Sequence, residues 1–486
     1  MRRVLSSPLV ALAAGLGLRL FFVLHFPANS GDAVLYEQFA TNWLKHHVYA
    51  MNVNGVVTPV DMRMPGYPAF LAIIYAITGE TGADARKWVL LSQIFVDLAG
   101  CLAIAALAAA LAFFAYQKAS PRRAFKAALW LAVLCPFTAN YAAAPLTEVF
   151  AGLFTGLGLF FFCLLLLRLR GTTIYINEMS LYVNQRPQVV AALAGFAVGW
   201  GTLFRPEAPL LLVACWLALA VYLGRRRQFS ELVRIVLSSG LACALALAPW
   251  AIRNAITLHE FQPLAPKNSN LPSEMVPRGF MAWEKTWLYR VSDFYLVSWK
   301  LNDEAIELEQ IPARAFDSPQ EKQRVADILE TYNDEITLTP EEDAAFAQLA
   351  RERTSRHPLR TYLILPVARA FTIWFTPRIE LIPVSGHVFP LKEAWEDDKL
   401  DQSVTIGFFL LNILYLLLAL GGARRLWLWN SGARPAVALL LVFILVRTAF
   451  LTTIETPEPR YVLVCFPALI ALASPLFARR NALLVR

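Results

Sequence analysis

Charge is what this sequence has least of. Asp, Glu, Lys and Arg make up 16% of the 486 residues, against about 25% in ordinary soluble proteins, while apolar residues reach 57% against roughly 45–50%. A soluble multidomain chain is thereby excluded, and a polytopic membrane protein is expected. A phosphate-cradling glycine loop, Gly-x-Ser-x-Gly and His-Glu-x-x-His are all missing, which argues against a nucleotide-consuming enzyme. The six histidines have no metal-ligand spacing, and all six cysteines lie inside apolar runs. Neither a disulfide framework nor a cysteine zinc site is indicated, and no metal or cofactor is expected. Internal repeats and heptads are absent as well, so an inverted-repeat transporter gains no support.

The charge that is present is unevenly placed. Between Ala251 and Gln402 lie 24 of the 36 acidic residues and 17 of the 44 basic ones, leaving 12 acidic against 27 basic residues elsewhere. Those basic residues sit mostly at the ends of apolar runs, the positive-inside pattern of a membrane protein, so no nucleic-acid partner is expected.

A membrane-crossing helix needs about 20 apolar residues. Ten runs are candidates, several of them short: Leu5 to Phe26, Trp88 to Ala115, Ala124 to Asn140, Thr147 to Leu167, Val189 to Leu203, Pro209 to Leu223, Leu232 to Trp250, Val404 to Leu420, Ala436 to Leu451 and Tyr461 to Leu476. The first is interrupted by Arg19 and lacks a small-residue cleavage site, so it reads as a retained span with a cytoplasmic N-terminus. Gly66 to Thr78 and Thr361 to Phe375 are shorter or carry an arginine. If neither crosses, Lys118 to Lys126, Arg168, Arg170, Arg225 to Arg227, Arg424 and Arg425 all face the cytoplasm. Both runs are therefore read as outer-face interfacial or re-entrant helices.

The expected architecture is an all-α bundle of about ten spans. Residues 1–250 form a transmembrane module with an outer loop at 27–87, residues 251–402 form a large outer segment, and residues 403–486 form the closing spans. Within the outer segment, Ser318 to Arg356 reads as two short helices broken at Pro340.

Ionisable residues gather beside the outer ends of spans. Asp32, in Gly31-Asp32-Ala33, stands just past the first run with Tyr36 one turn on. It is placed either as a general base facing a cavity or as the N-cap of a helix starting at Ala33. Arg63 opens Arg63-Met64-Pro65-Gly66-Tyr67-Pro68, where it either meets a lipid phosphate or snorkels from a turn. Glu148, Arg205 with Glu207, Arg253 with Asn254, and Arg460 with Tyr461 recur in the same setting. Such groups face partners or a wet cavity, structural ion pairs being the alternative for each.

With these residues the chain resembles the GT-C superfamily of membrane glycosyltransferases, in particular the bacterial branch of protein O-mannosyltransferases and aminoarabinose transferases. The resemblance rests on Gly31-Asp32 with Tyr36 and Ala40, Arg63-Met64-Pro65-Gly66-Tyr67-Pro68-Ala69-Phe70-Leu71, Thr147-Glu148, Phe204-Arg205-Pro206-Glu207, Pro249-Trp250-Ala251-Ile252-Arg253-Asn254 and Pro459-Arg460-Tyr461, in the family's order across the chain. It implies a bacterial inner-membrane enzyme that moves a sugar from a polyprenyl-phosphate carrier to a hydroxyl of a lipid, glycan or protein acceptor on the outer face. Asp32 would be the base, with the donor held among Tyr36, Arg63, Tyr67, Glu148, Arg205, Glu207, Arg253, Asn254, Arg460 and Tyr461. Many relatives carry a second acid directly after this aspartate, where this chain has Ala33, a departure that disfavours a two-carboxylate or metal-chelating site. The rival expectation is a transporter or lipid flippase, which would need paired polar or broken helices at the bilayer midplane.

Overall fold

The computed structural model describes residues 7–28, 31–115, 119–171, 186–266, 275–386, 388, 395–396, 398–429, 431–456 and 458–478. It divides into two compact units, one comprising residues 1–267, 377–446 and 463–486, the other residues 268–376 and 447–462.

In the first unit the chain runs through α1 (Pro8–His25), α2 (Gly31–His46), a hairpin of β1 (Ala50–Val53) and β2 (Val56–Pro59), α3 (Gly66–Thr78), α4 (Arg86–Phe114), α5 (Pro121–Val133), the short α6 (Pro136–Ala139), α7 (Glu148–Leu169), α8 (Pro187–Thr202), α9 (Leu210–Gly224) and α10 (Phe229–Thr257). Long helices at Lys399–Trp429 and Arg434–Leu451 follow, and the last apolar run winds as 3-10, α and 3-10 turns over Pro459–Leu476.

Seven helices among the described residues are long and apolar enough to cross a membrane. The remaining three expected spans are shorter for local reasons. Pro136 cannot supply an amide to continue α5, so the run 124–140 breaks into α5, α6 and a 3-10 turn over Asn140–Ala143. Pro187 opens α8, and α9 begins only after Pro206 and Pro209, which leaves 16 and 15 residues in the two helices. Conversely, α10 runs seven residues past the expected end at Trp250 and carries Arg253 and Asn254 on its last turns.

The all-α expectation holds apart from the antiparallel β1–β2 hairpin. Its two loop residues, Asn54 and Gly55, both take positive φ, as a tight primed turn requires.

Packing within this bundle depends on small residues. A Cβ on Gly195 would overlap the Ser239 carbonyl, so the α8–α10 crossing needs glycine there. Arg19 is fully buried in α1, where Nε donates to Asp97 Oδ2 on α4 at 2.6 Å, and Nη1 donates to the carbonyls of Gly15 and Val133. The interruption of the first apolar run is thus an ion pair closed inside the bundle.

The second unit has its own core of Phe280, Trp283, Trp287, Leu329, Tyr332 and Phe346. Helices Pro319–Glu335 and Pro340–Arg356 flank the expected break, each with a proline at the first helical position and a side-chain cap, from Ser318 and Thr339. A π turn at Arg360–Ile364 leads into helix Leu365–Trp374. Tyr362, Ile364, Val367 and Phe371 are exposed there, while Arg369 is buried.

Candidate active site

The first turn of α2 carries Asp32, in the first unit. The helix begins at Gly31, two residues earlier than the capping alternative requires, so Asp32 lies inside the first turn. Its carboxylate accepts from Arg63 Nη2 at 3.0 Å, and both side chains keep about a quarter of their surface, 27% and 26%. Burial would lower the Arg63 guanidinium, but Asp32 and other nearby groups outweigh it and hold the pKa above the ordinary value.

Arg63 is held by what surrounds the hairpin. The Tyr49 hydroxyl donates to the Arg63 carbonyl at 2.9 Å. Arg253 in turn donates to the carbonyls of Tyr49 and Val60 at 2.5 and 2.8 Å, on either side of β1 and β2, and to Asn254 Oδ1. Its guanidinium also lies over the rings of Tyr49 and Trp250. Asn254 is buried and donates to the Gln262 carbonyl. The Arg253-Asn254 motif therefore fastens the hairpin that carries the chain to Arg63.

A second ion pair stands where α7 begins. Arg205 donates to Glu148 Oε1 at 2.5 Å, to Glu207 Oε1 at 3.1 Å and to Thr147 Oγ1 at 3.2 Å. The turn that carries Arg205 is joined to α3 by Gly66, whose amide donates to the Leu203 carbonyl at 2.7 Å. A Cβ on Gly66 would stand 2.6 Å from that oxygen, so this approach demands glycine.

Tyr36 lies within reach of the charges of both ion pairs. Its ring meets that of Tyr67 edge-on, with centroids 5.1 Å apart. Burial, then the charge of Asp32, pushes its hydroxyl above the ordinary value, and the fields of Arg63, Arg205 and Glu148 also reach it. Tyr36 is thus a neutral hydroxyl among four charges, suited to hydrogen bonding and not to acting as a base. Tyr67 is fully buried and donates to Gln93 Oε1 at 2.5 Å.

Asp32, Tyr36, Arg63, Tyr67, Glu148, Arg205, Glu207, Arg253 and Asn254 thus belong to one unit and one set of contacts. Arg460 and Tyr461 belong to the second unit, where the two side chains share Glu458, the tyrosine at 3.2 Å. Gln93, Tyr49 and Thr147 were not singled out from the sequence as site residues. A glutamine two turns into an apolar helix was the available signal for the first. Among the described residues no group of three or more His, Cys, Asp or Glu side chains gathers as a metal site, and Ala33 leaves Asp32 without an adjacent acid.

No protein-family model matches this sequence, and no curated protein matches it. Solved structures do. The archaeal oligosaccharyltransferase AglB from Archaeoglobus fulgidus, in complex with an inhibitory peptide and a dolichol-phosphate, aligns with 97% of this chain at 14% identity and a TM-score of 0.50. The Archaeoglobus fulgidus oligosaccharyltransferase tethered to an acceptor peptide aligns over 97% at 13% identity and a TM-score of 0.51. The alignments cover 50% and 49% of those chains, so this chain spans about half their length. ArnT from Cupriavidus metallidurans aligns over 96% of this chain and 77% of its own at 15% identity, with a TM-score of 0.40. At these identities the likeness shows the fold alone: this chain shares the helical membrane fold of the aligned part of the two oligosaccharyltransferase structures.

Proposed function

We propose that this protein is a membrane glycosyltransferase that transfers a sugar from a polyprenyl-phosphate donor to an acceptor hydroxyl on the outer face of the membrane. The observation that carries the reading is the Asp32–Arg63 pair, a carboxylate and a guanidinium 3.0 Å apart, each a quarter exposed and both acting on Tyr36. The dolichol-phosphate bound in the AglB complex supports a lipid-phosphate donor.

The chemistry needs little more. The acceptor oxygen attacks the anomeric carbon as its proton passes to the Asp32 carboxylate. The bond to the carrier breaks with its electron pair on the phosphate oxygen, and a single such displacement inverts the anomeric centre. Arg63 is the first cation for the departing phosphate. A guanidinium offers a planar fork to it, and moving from Asp32 to the phosphate would free the carboxylate to act as base. Arg205, held by Glu148 and Glu207, is the second, and Arg253 serves by fixing the hairpin. Arg460 and Tyr461 are kept as donor-binding candidates on the resemblance alone.

The test is direct. Purified protein given polyprenyl-phosphate sugars should release polyprenyl phosphate, and Asp32→Asn should abolish the release. Release undiminished in that variant would sink the role of Asp32.

The transporter reading has one observation in its favour, the Arg19–Asp97 pair inside the bundle. Arg19 is sealed, however, its donors engaged by Asp97, two carbonyls and the Cys101 sulfur. Transport of a lipid-linked sugar across vesicles, with no product formed, would favour that reading instead.

A further inference from the structure

We propose that Gln93, on α4, is a positioning residue that sets the Asp32 half of the site against the Glu148 half. The inference rests on the glycosyltransferase reading for its kinetic consequence, although its geometric content stands apart from it.

Gln93 is fully buried. Its Oε1 accepts from the Tyr67 hydroxyl at 2.5 Å, while Nε2 donates to the carbonyls of Ala142 and Ala144 at 3.3 and 2.8 Å. Tyr67 belongs to α3, two residues past the Arg63-Met64-Pro65 entry, and its ring meets that of Tyr36 on the helix of Asp32. The two carbonyls belong to the turn that delivers Thr147 and Glu148 to the start of α7. One amide therefore holds both sides, and it is the side chain suited to do so. A glutamine offers an acceptor and two donors from one rigid plane, which matches a hydroxyl on one side and two carbonyls on the other.

A purely packing role would be met more cheaply by leucine, because a buried amide must recover all of its lost hydration through its partners. The geometry asks for direction as well as volume. Misplacing reacting groups by about 1 Å costs on the order of 10²-fold in rate, and this amide fixes the relative placement of the two ion pairs around Tyr36.

The test uses Gln93→Leu and Gln93→Glu in the full-length protein, with two readouts. In turnover, Gln93→Leu should lower kcat by roughly 10- to 100-fold and leave the donor KM near its original value, because no group that contacts the donor is removed. Gln93→Glu keeps the shape, and its protonated carboxyl accepts from Tyr67 and donates to one carbonyl. Its turnover relative to the unchanged protein should be near normal at low pH and fall as pH rises and the carboxyl ionises against two carbonyl oxygens. The unchanged protein has no such group at this position.

The second readout needs no activity. Spin labels on Ile73→Cys, on the exposed face of α3, and Leu134→Cys, at the entry to the 136–144 stretch, report the separation of the two halves. The native cysteines are all buried. The distance distribution should broaden in Gln93→Leu, and in Gln93→Glu only at high pH. If Gln93→Leu fails to fold, the pH series on Gln93→Glu decides alone. Unbroadened distances in both variants at every pH, or a Gln93→Glu profile parallel to that of the unchanged protein, would overturn the proposal. A protein inactive toward every donor, with distances that broaden as expected, would overturn the glycosyltransferase reading and leave the placement role standing.

Discussion

Two charge clusters, one in each unit, differ in how far they are closed to solvent. In the second, Arg353 is completely buried and its donors are consumed by Glu321, Asp317, Thr286 Oγ1 and the Arg314 carbonyl. Arg356 and Arg360 close the same cluster from outside, Arg360 through two bonds to Asp317 at 2.6 and 3.0 Å. Burial would raise Asp317, but the hydrogen bond from Arg360 and the charges of Arg353, Arg360 and Arg356 hold it below the ordinary carboxylate range. In the first unit, the Asp32–Arg63 pair meets at 3.0 Å with a quarter of each side chain uncovered. A cluster that is shut acts on stability. A pair that is left accessible can exchange its partner for a substrate, and its removal should be felt in rate more than in folding.

Asp32→Asn is the sharpest way to break that contrast. As a general base Asp32 should account for roughly 10²- to 10⁴-fold in turnover, with folding little changed, since a first-turn acid contributes only about 0.3–1 kcal/mol to its helix. Turnover and thermal stability measured on the same preparation separate the two roles. Near-normal turnover would place Asp32 with the structural charges.

Arg353→Met should do the reverse. Removing one partner of a buried ion cluster costs about 3–5 kcal/mol, so the second unit should lose hydrogen-exchange protection along Pro319–Glu335 and Pro340–Arg356. Protection that survives the substitution would mean the cluster is not what holds these helices.

The same contrast explains what was legible in the sequence. Helix Pro340–Arg356 was readable because Pro340 and the Thr339 cap are local signals, and the long spans because hydrophobicity over 20 residues is unambiguous. The hairpin carries a local signal of its own, since Asn54-Gly55 between Val53 and Val56 is a strong two-residue turn sequence. Asp32, Arg63, Glu148 and Arg205 stood out because charges beside spans are costly. Their pairing did not, since Arg63 meets Asp32 across 31 residues and Arg205 meets Glu148 across 57, distances at which only tertiary structure speaks. For the same reason Arg253 looked like a phosphate ligand from sequence, whereas its guanidinium is bound to the hairpin carbonyls.

Arg63 should give a smaller, graded effect. Arg63→Ala removes both the attraction for the donor phosphate and the partner of Asp32, so donor KM should rise about tenfold, an energy of about 1.4 kcal/mol that suits one charge-assisted contact. Arg63→Lys keeps the charge without the planar fork and should fall between. Donor affinity identical in all three proteins would move the phosphate role to Arg205.

Glu284 offers a pH test in the second unit. Its buried carboxyl is pushed up to about 8, by burial first, against the Ser298 hydroxyl that donates to it and with the negative charge of Glu455. The ordinary value is 4.5, so between about 4.5 and 8 the folded state holds a proton that the unfolded chain has lost. Stability from this group is therefore fully present below 4.5, declines as pH rises through that window, and is gone above 8. Glu284→Gln should flatten the decline, as read from hydrogen exchange of the second unit at pH 5, 6.5 and 8. An unaltered slope would assign it to other groups.

The smallest effect closes the comparison from the other side. Thr339 caps helix Pro340–Arg356 in a reciprocal box with Glu342: the Thr339 hydroxyl accepts from the Glu342 amide, and the Glu342 carboxylate accepts from the Thr339 amide at 2.8 Å. Thr339→Ala should cost about 1 kcal/mol and leave turnover unchanged, whereas Asp32→Asn should change turnover and spare stability. Both residues are polar groups at the start of a helix and look alike in sequence. The first faces its own backbone, while the second faces the Arg63 guanidinium. Measuring stability and turnover for both variants tests whether the partner of a helix-start side chain decides its role. If Thr339→Ala lowered turnover as much as it lowered stability, the two units would be coupled and the division of labour drawn here would fail.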